Sequence, residues 1–149
     1  MANFRTRARA LDLLGRQQIA GIPTAINELI KNAHDAYADN FDIDYLRNKD
    51  LLVLRDDGLG MTRSEFENRW LTIGTESKLK NSKTTPPPID PDKPLRHIMG
   101  EKGIGRLAIA SIGKQVLILT RATNRGTGNY VVSFINWEIF ELPKINLED

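Results

Sequence analysis

Hydrophobic and polar residues recur with a helical period between Ala25 and Asp39, in the segment AINELIKNAHDAYAD. Glu28, Asn32 and Asp35 stand at i, i+4 and i+7, so their side chains leave one face of the predicted helix. Apolar side chains occupy the other side, at Ile26, Ile30, Ala33 and Tyr37. The pattern predicts an amphipathic helix with an apolar back and a front made of two carboxylates and one carboxamide.

The residues after this helix carry the two-residue period of β-strands. Alternating apolar and acidic residues predict a strand over Phe41 to Leu46, beside a buried strand over Leu51 to Leu54 that we expect at the centre of the sheet. Two further runs, Val116 to Leu119 and Tyr130 to Phe134, predict a hairpin. With the helices, these strands predict an α+β fold: a two-layer α/β sandwich with helices on one face of a mixed, mostly antiparallel sheet.

Local signals mark where the helices begin. Thr24 is the predicted N-cap of the long helix. Thr62 and Glu65 have the spacing of a capping box, and Phe66 and Trp70 lie one turn apart on the short helix that follows.

Composition changes between residues 75 and 99, which are rich in lysine, serine and proline. A stretch of this length without regular structure inside a compact domain is typical of a lid or a binding loop. It leads into GEKGIG, residues 100–105, which opens a helix expected to stop near Gly113.

The composition of the whole chain excludes several classes of protein. Its 149 residues predict a single domain over 1–149, and the absence of cysteine excludes disulfides and thiolate metal sites. No apolar run approaches the roughly 20 residues that span a bilayer, so we expect a cytoplasmic protein with no membrane partner. The net charge of +2 gives no strong preference for nucleic acid.

A motif of one acid and two glycines follows the buried strand. Asp56, fixed at the strand end, can accept a hydrogen bond from an exocyclic amine such as that of adenine. Gly58 and Gly60 would let the base approach the backbone, and Met61 would pack on its face. A tight turn is the other interpretation of this motif when it is taken singly.

A second glycine motif, formed by Gly100, Gly103 and Gly105, precedes a helix whose free N–H groups can receive phosphates. Chain reversal alone would also explain it. The order of the motifs has a chemical logic, however, because Asn32 offers an oxygen ligand for Mg²⁺ and Glu28 can take a proton from water.

In this order the motifs E-x-x-x-N-x-x-D-A, D-x-G-x-G and G-x-x-G-x-G resemble the GHKL superfamily of gyrase, heat-shock chaperone ATPases, histidine kinases and MutL. The resemblance covers roughly Ala25 to Gly113 and implies a Bergerat-type domain that binds ATP and Mg²⁺. It is nearest to the chaperone-like, MutL-like and MORC-like ATPases, because of the segment TIGTESK at residues 72–78.

The resemblance implies roles for individual residues. It makes Glu28 the general base, Asn32 the Mg²⁺ ligand, Asp35 a supporting acid and Asp56 the residue that reads adenine. Further contacts to the nucleotide are implied for Gly58, Gly60, Met61, Lys78, Gly100, Gly103 and Gly105, and residues 75–99 are implied to be the ATP lid.

Three functions follow as alternatives. The first is an ATPase module whose nucleotide state closes the lid and drives a conformational change or a homodimerisation. The second is a histidine or protein kinase, a class that tends to carry an amide at the position of Glu28. The third is a regulatory module that binds ATP without turnover.

The resemblance also sets expectations about partners. The superfamily's domain continues into further strands with a Gly-Thr motif, and its gyrase and MutL branches take a lysine from a following domain. We therefore expect a C-terminally truncated fragment that works with the remaining C-terminal domains of a parent protein. DNA and protein clients are both compatible with the sequence.

Overall fold

The computed structural model describes residues 10, 21–72, 84–85, 90, 92–100, 105–123 and 128–143. The described α-helices and strands in chain order are helix α1 (Ile22–Asp35), strands β1 (Phe41–Leu46) and β2 (Leu51–Asp56), helix α2 (Arg63–Glu65), helix α3 (Ile109–Ile112), strands β3 (Gln115–Thr120) and β4 (Val131–Asn136), and helix α4 (Glu138–Glu141). Helices and antiparallel strands together confirm the predicted α+β class.

Helix α1 begins and ends earlier than predicted. Its N-cap is Gly21, with a φ of 98°, and Pro23 lies inside the first turn, so the prediction of Thr24 as the cap is wrong. Proline is compatible with this position because the first N–H groups of a helix have no intrahelical partner. At the other end Tyr37 takes a left-handed φ of 62°, which stops the helix before Asp39.

The four strands form two antiparallel pairs. β1 pairs with β2 in the register Phe41↔Asp56, and β3 pairs with β4 in the register Gln115↔Asn136, so the predicted neighbours and the predicted hairpin are confirmed. The position of β2 differs from the prediction. Among the described strands it pairs with β1 alone, and Leu51 is 45% exposed rather than buried.

Helix α2 is set by its capping box. The Thr62 hydroxyl accepts the Glu65 backbone N–H, and the Glu65 carboxylate accepts the Thr62 backbone N–H at 2.9 Å. A single π-helical turn over Phe66–Trp70 follows. The rings of Phe66 and Trp70 stack with centroids 5.1 Å apart, which confirms the predicted pair.

A small core joins the second strand pair to the helices. Leu107, Ala110 and Trp137 are buried together, with Val116, Ile135 and Phe140 packed around them. Helix α1 packs against the segment that contains the 3₁₀ turn Gly105–Ala108 and helix α3, which stops before Gly113 as predicted. In the described part of the chain, no helix has the length and apolarity needed to cross a membrane.

Candidate functional site

Most of the predicted site residues line one cavity of about 1650 Å³ between α1, the strands and the glycine-rich segment. They are Glu28, Asn32, Asp35, Asp56, Gly60, Met61, Gly100 and Gly105. Gly58 lies beside Asp56 and contacts the end of α1. Lys78 and Gly103 lie outside the described residues.

The N-terminal half of α1 faces the second glycine motif. An ideal Cβ built on Gly105 would lie 2.9 Å from Glu28 Oε2, so the absence of a side chain lets the carboxylate approach this backbone. Glu28 Oε1 accepts a hydrogen bond of 2.6 Å from Lys31 Nζ, one turn further along the helix. The predicted acid therefore meets the glycine segment on one side and a cation on the other.

The C-terminal end of α1 holds the beginning of the same motif. The Asp35 carboxylate accepts the backbone N–H of Met99 at 2.9 Å and of Gly100 at 3.1 Å. Bonds from N–H groups to an ionised carboxylate are stronger than neutral ones. Asp35 thus fixes where the glycine motif begins relative to the helix.

Asn32 lies between Glu28 and Asp35 on α1 and is half-buried in the cavity wall. No hydrogen bond joins its carboxamide to the residues that the structure describes. No group of three His, Asp or Glu side chains in the described ranges forms a ready-made metal site. A single carboxamide oxygen fits Mg²⁺, because this ion takes one or two protein ligands and completes its shell with water and phosphate.

The acid at the end of β2 is placed by its own turn. Asp56 Oδ1 accepts the Gly58 backbone N–H at 3.0 Å, and Leu59 N–H donates to the Ala36 carbonyl at 2.8 Å. A Cβ on Gly58 would lie 3.0 Å from that carbonyl oxygen. Glycine at this position therefore leaves room for the turn to lie directly against the end of α1.

The second glycine of this motif meets the end of β3. Gly60 has a φ of 58°, and a Cβ there would lie 2.0 Å from the Arg121 carbonyl oxygen. Met61 N–H donates to Thr120 Oγ1 at 3.0 Å, and Thr123 N–H donates to the Leu59 carbonyl at 2.9 Å. These bonds lock the motif between the two strand pairs.

Arg96 has a role that the sequence did not predict. Its guanidinium donates to the Ala38 carbonyl at 2.7 Å, the His34 carbonyl at 3.3 Å and the Asp39 carboxylate at 2.9 Å, and it lies 5.3 Å from the centre of the Tyr37 ring. It therefore bonds carbonyls at and just beyond the C-terminal end of α1.

Thr85 contacts Arg96 from an earlier part of the segment predicted to be the lid. Thr84 and His97 form an antiparallel bridge, and Thr85 N–H donates to the Arg96 carbonyl at 2.9 Å. The Thr85 hydroxyl lies 2.6 Å from the Tyr37 hydroxyl, and Thr85 is only 3% exposed. Within residues 75–99, Thr85 and Arg96 are thus anchored to the end of α1.

Asp57 also has a structural role that the sequence did not predict. Its carboxylate accepts the backbone N–H of Asp39 at 2.7 Å and of Asn40 at 2.9 Å, and the Asn40 side-chain amide at 2.8 Å. These bonds, those from Asn40 first, lower the pKa of Asp57 to about 2. The residue beside the predicted site acid therefore holds the connection between α1 and β1.

Comparison with known proteins identifies a family that this chain matches. Residues 21–143 match the family described as histidine kinase-, DNA gyrase B-, and HSP90-like ATPase. The match includes every predicted site residue, from Glu28 to Gly105.

Individual relatives are similar over parts of the chain. ATPase morc-1 of Caenorhabditis elegans is 54% identical over 57 residues, which is 37% of this chain and 7% of that protein. The putative type II restriction enzyme HgiDII of Herpetosiphon aurantiacus is 34% identical over 85 residues, 57% of this chain and 12% of that protein. A chaperone protein HtpG of Mycobacterium ulcerans is 28% identical over an alignment of 170 residues, covering 89% of this chain and 24% of the chaperone. The chain thus spans a quarter or less of the length of these relatives.

Proposed function

The chain belongs to the family of histidine kinase-, DNA gyrase B- and HSP90-like ATPases, and on that premise we propose that its cavity binds Mg-ATP. One observation carries the proposal. Three groups of residues that lie far apart in the chain line the same cavity: the acids and the amide of α1, Asp56 and Gly60 at and after the end of β2, and Gly100 and Gly105 before α3.

The geometry suggests an orientation for the nucleotide. Glu28 and Asp35 are seven residues apart, roughly 10 Å along the helix axis. Asp56 and Gly58 lie at the Ala36 end of α1, and Gly105 lies at the Glu28 end. We therefore place the adenine at Asp56 and the phosphates toward Gly105.

Each polar residue then has a distinct task. Asp56 accepts the exocyclic amine of the base, and Gly60 and Met61 leave room for its ring. Asn32 holds Mg²⁺, which neutralises phosphate charge when it is bound. Glu28 orients a water and takes its proton, and Asp35 keeps Gly100 at the helix end through its bonds to the backbone.

Hydrolysis and its consequences form the finer part of the proposal. In the full-length parent, ATP hydrolysis would drive closure of a lid over residues 75–99 and a conformational or homodimerisation switch, with Lys78 and Gly103 contributing to the phosphate end. Relatives named as an ATPase and as chaperones support this view, together with the carboxylate rather than an amide at Glu28. We propose residues 1–149 as the nucleotide-binding domain of such a parent.

One observation favours a second candidate, a regulatory module that binds ATP without turnover. Lys31 Nζ donates to the Glu28 carboxylate at 2.6 Å, so one oxygen of the proposed base already accepts a bond from a cation instead of from water. Release of phosphate by the wild-type parent, and its loss in Glu28→Ala with ATP binding retained, would exclude this candidate.

Calorimetric titration of the chain with Mg²⁺ and a non-hydrolysable ATP analogue tests the binding proposal. Asp56→Asn should weaken binding by roughly tenfold or more, because a buried ligand amine loses a charged acceptor. The matched control is Asp44→Asn, the same change at an exposed carboxylate of β1 that pairs with Arg55. Equal binding by the Asp56→Asn variant and the wild type would remove Asp56 from the site. No binding by a folded wild type would refute the proposal for this chain.

A further inference from the structure

Lys31 places a permanent positive charge beside the proposed general base. Its Nζ lies 2.6 Å from Glu28 Oε1, and the two side chains are 30% and 27% exposed. Both line the cavity. An i, i+3 ion pair that is partly open to solvent contributes little to helix stability, so a role for Lys31 is inferred from its position in the cavity.

The other described cations around the cavity have different positions. Lys114 pairs with Glu138 and Arg69 pairs with Glu65. Lys49 lies in the turn between β1 and β2. Among the cations of the described cavity wall, Lys31 is the one in contact with a residue of the proposed reaction site.

The contact is at the end of the cavity assigned to the phosphates. The carboxylate that Lys31 holds also lies against Gly105, where a Cβ would come within 2.9 Å of Glu28 Oε2. A lysine ammonium carries three N–H donors, so donation to Glu28 is compatible with donation to a phosphate oxygen. A cation at this position would contact the terminal phosphate, because the adenine is placed at the opposite end of the cavity.

We propose that Lys31 bridges Glu28 and the terminal phosphate, and that this contact makes the site select a nucleoside triphosphate over a diphosphate. The proposal rests on the proposed Mg-ATP site. Removing the ammonium should weaken a triphosphate selectively, since a diphosphate does not reach Lys31. The pair also keeps the Glu28 carboxylate beside the phosphate that water would attack.

The test compares two ligands on the same variants by calorimetric titration in the presence of Mg²⁺. For Lys31→Ala, the affinity for a non-hydrolysable ATP analogue should fall by roughly tenfold, the effect of one bond to a charged group. Affinity for ADP should change less than about twofold. Lys31→Arg, which keeps the charge, should recover most of the difference.

Controls separate this idea from the proposal on which it rests. Arg63→Ala breaks another helical ion pair, with Glu67, away from the cavity, and it should leave both affinities unchanged. If Lys31→Ala lowers the melting temperature, the experiment uses Lys31→Gln instead, because glutamine keeps part of the aliphatic stem without the charge. Equal losses for the analogue and ADP, or no loss for either, would overturn the role of Lys31 while leaving the site intact. A wild type that binds neither nucleotide would refute the site itself.

Discussion

Replacing Arg96 with alanine gives a direct test of how the glycine motif is held. Arg96 is 20% exposed, and its guanidinium bonds the Ala38 and His34 carbonyls at 2.7 and 3.3 Å. It also covers the ring of Tyr37 and pairs with Asp39. The substitution removes all of these contacts at once.

The expected magnitude follows from the geometry of each contact. A bond from a charged donor to a carbonyl contributes about 1.5–3 kcal/mol, and the short bond to Ala38 falls in this range. The longer bond to His34 adds less, and the contact with Tyr37 adds about 0.5–1 kcal/mol. Water compensates part of the loss at the exposed helix end. We therefore expect a destabilisation of about 2–3 kcal/mol, or a fall in melting temperature of roughly 4–12 °C.

Hydrogen exchange shows whether the effect has the predicted location. The Thr85 amide donates to the Arg96 carbonyl, and the amides of Met99 and Gly100 donate to Asp35. All three should exchange faster in Arg96→Ala, while amides between β3 and β4 should follow only the change in global stability.

Two further variants complete the experiment. Arg96→Lys keeps a charge for Asp39, but an ammonium cannot reproduce the planar fork across two carbonyls, so recovery should be partial. Arg63→Ala, at a side chain that is 85% exposed, should change neither melting nor exchange. Unchanged protection of Met99 and Gly100 in Arg96→Ala would refute the idea that Arg96 positions the glycine motif.

Two other substitutions test local features of the site. Gly60→Ala should destabilise the chain by more than about 2 kcal/mol in urea denaturation, because φ is left-handed and a Cβ would overlap a backbone oxygen; Gly113→Ala, with its nearest atom at 3.6 Å, is the control and should change stability by less than about 0.5 kcal/mol. Asp57 has a folded pKa of about 2 against a usual 3.8, so its stabilisation is present above the usual pKa and is lost as pH falls toward 2. Asp57→Asn should thus melt below the wild type at neutral pH, and the gap should narrow between about pH 4 and pH 2; a gap that stays constant with pH would contradict this account.

Three predictions that depended on neighbouring residues were confirmed, although the N-cap predicted at Thr24 was not. The capping box of Thr62 and Glu65 forms because its two partners are three residues apart and need only one turn of helix. The stacked pair of Phe66 and Trp70 follows from the same short spacing. The pairing of β1 with β2 is likewise local, since a turn of four residues leaves an antiparallel partner within reach.

Features that depend on distant residues were missed. Arg96 finds its partners 57 to 62 positions away, and no period in a proline-rich stretch marks one arginine among several cations. The sequence likewise treats Leu51 to Leu54 as buried because all four residues are apolar. In the described structure, β2 has a partner on one side and its first leucine is exposed.

The glycines show most clearly what a motif does and does not reveal. From the sequence they mark turns, but of the described motif glycines only Gly60 has a left-handed φ. Gly58 and Gly105 act in a different way, because a Cβ there would lie 3.0 Å from the Ala36 carbonyl oxygen and 2.9 Å from Glu28 Oε2, so these neighbours would have to shift. Both contacts are with α1. The glycine motifs therefore set how closely two separate segments approach one helix, and that approach brings the acids of α1 and the two glycine motifs into a single cavity.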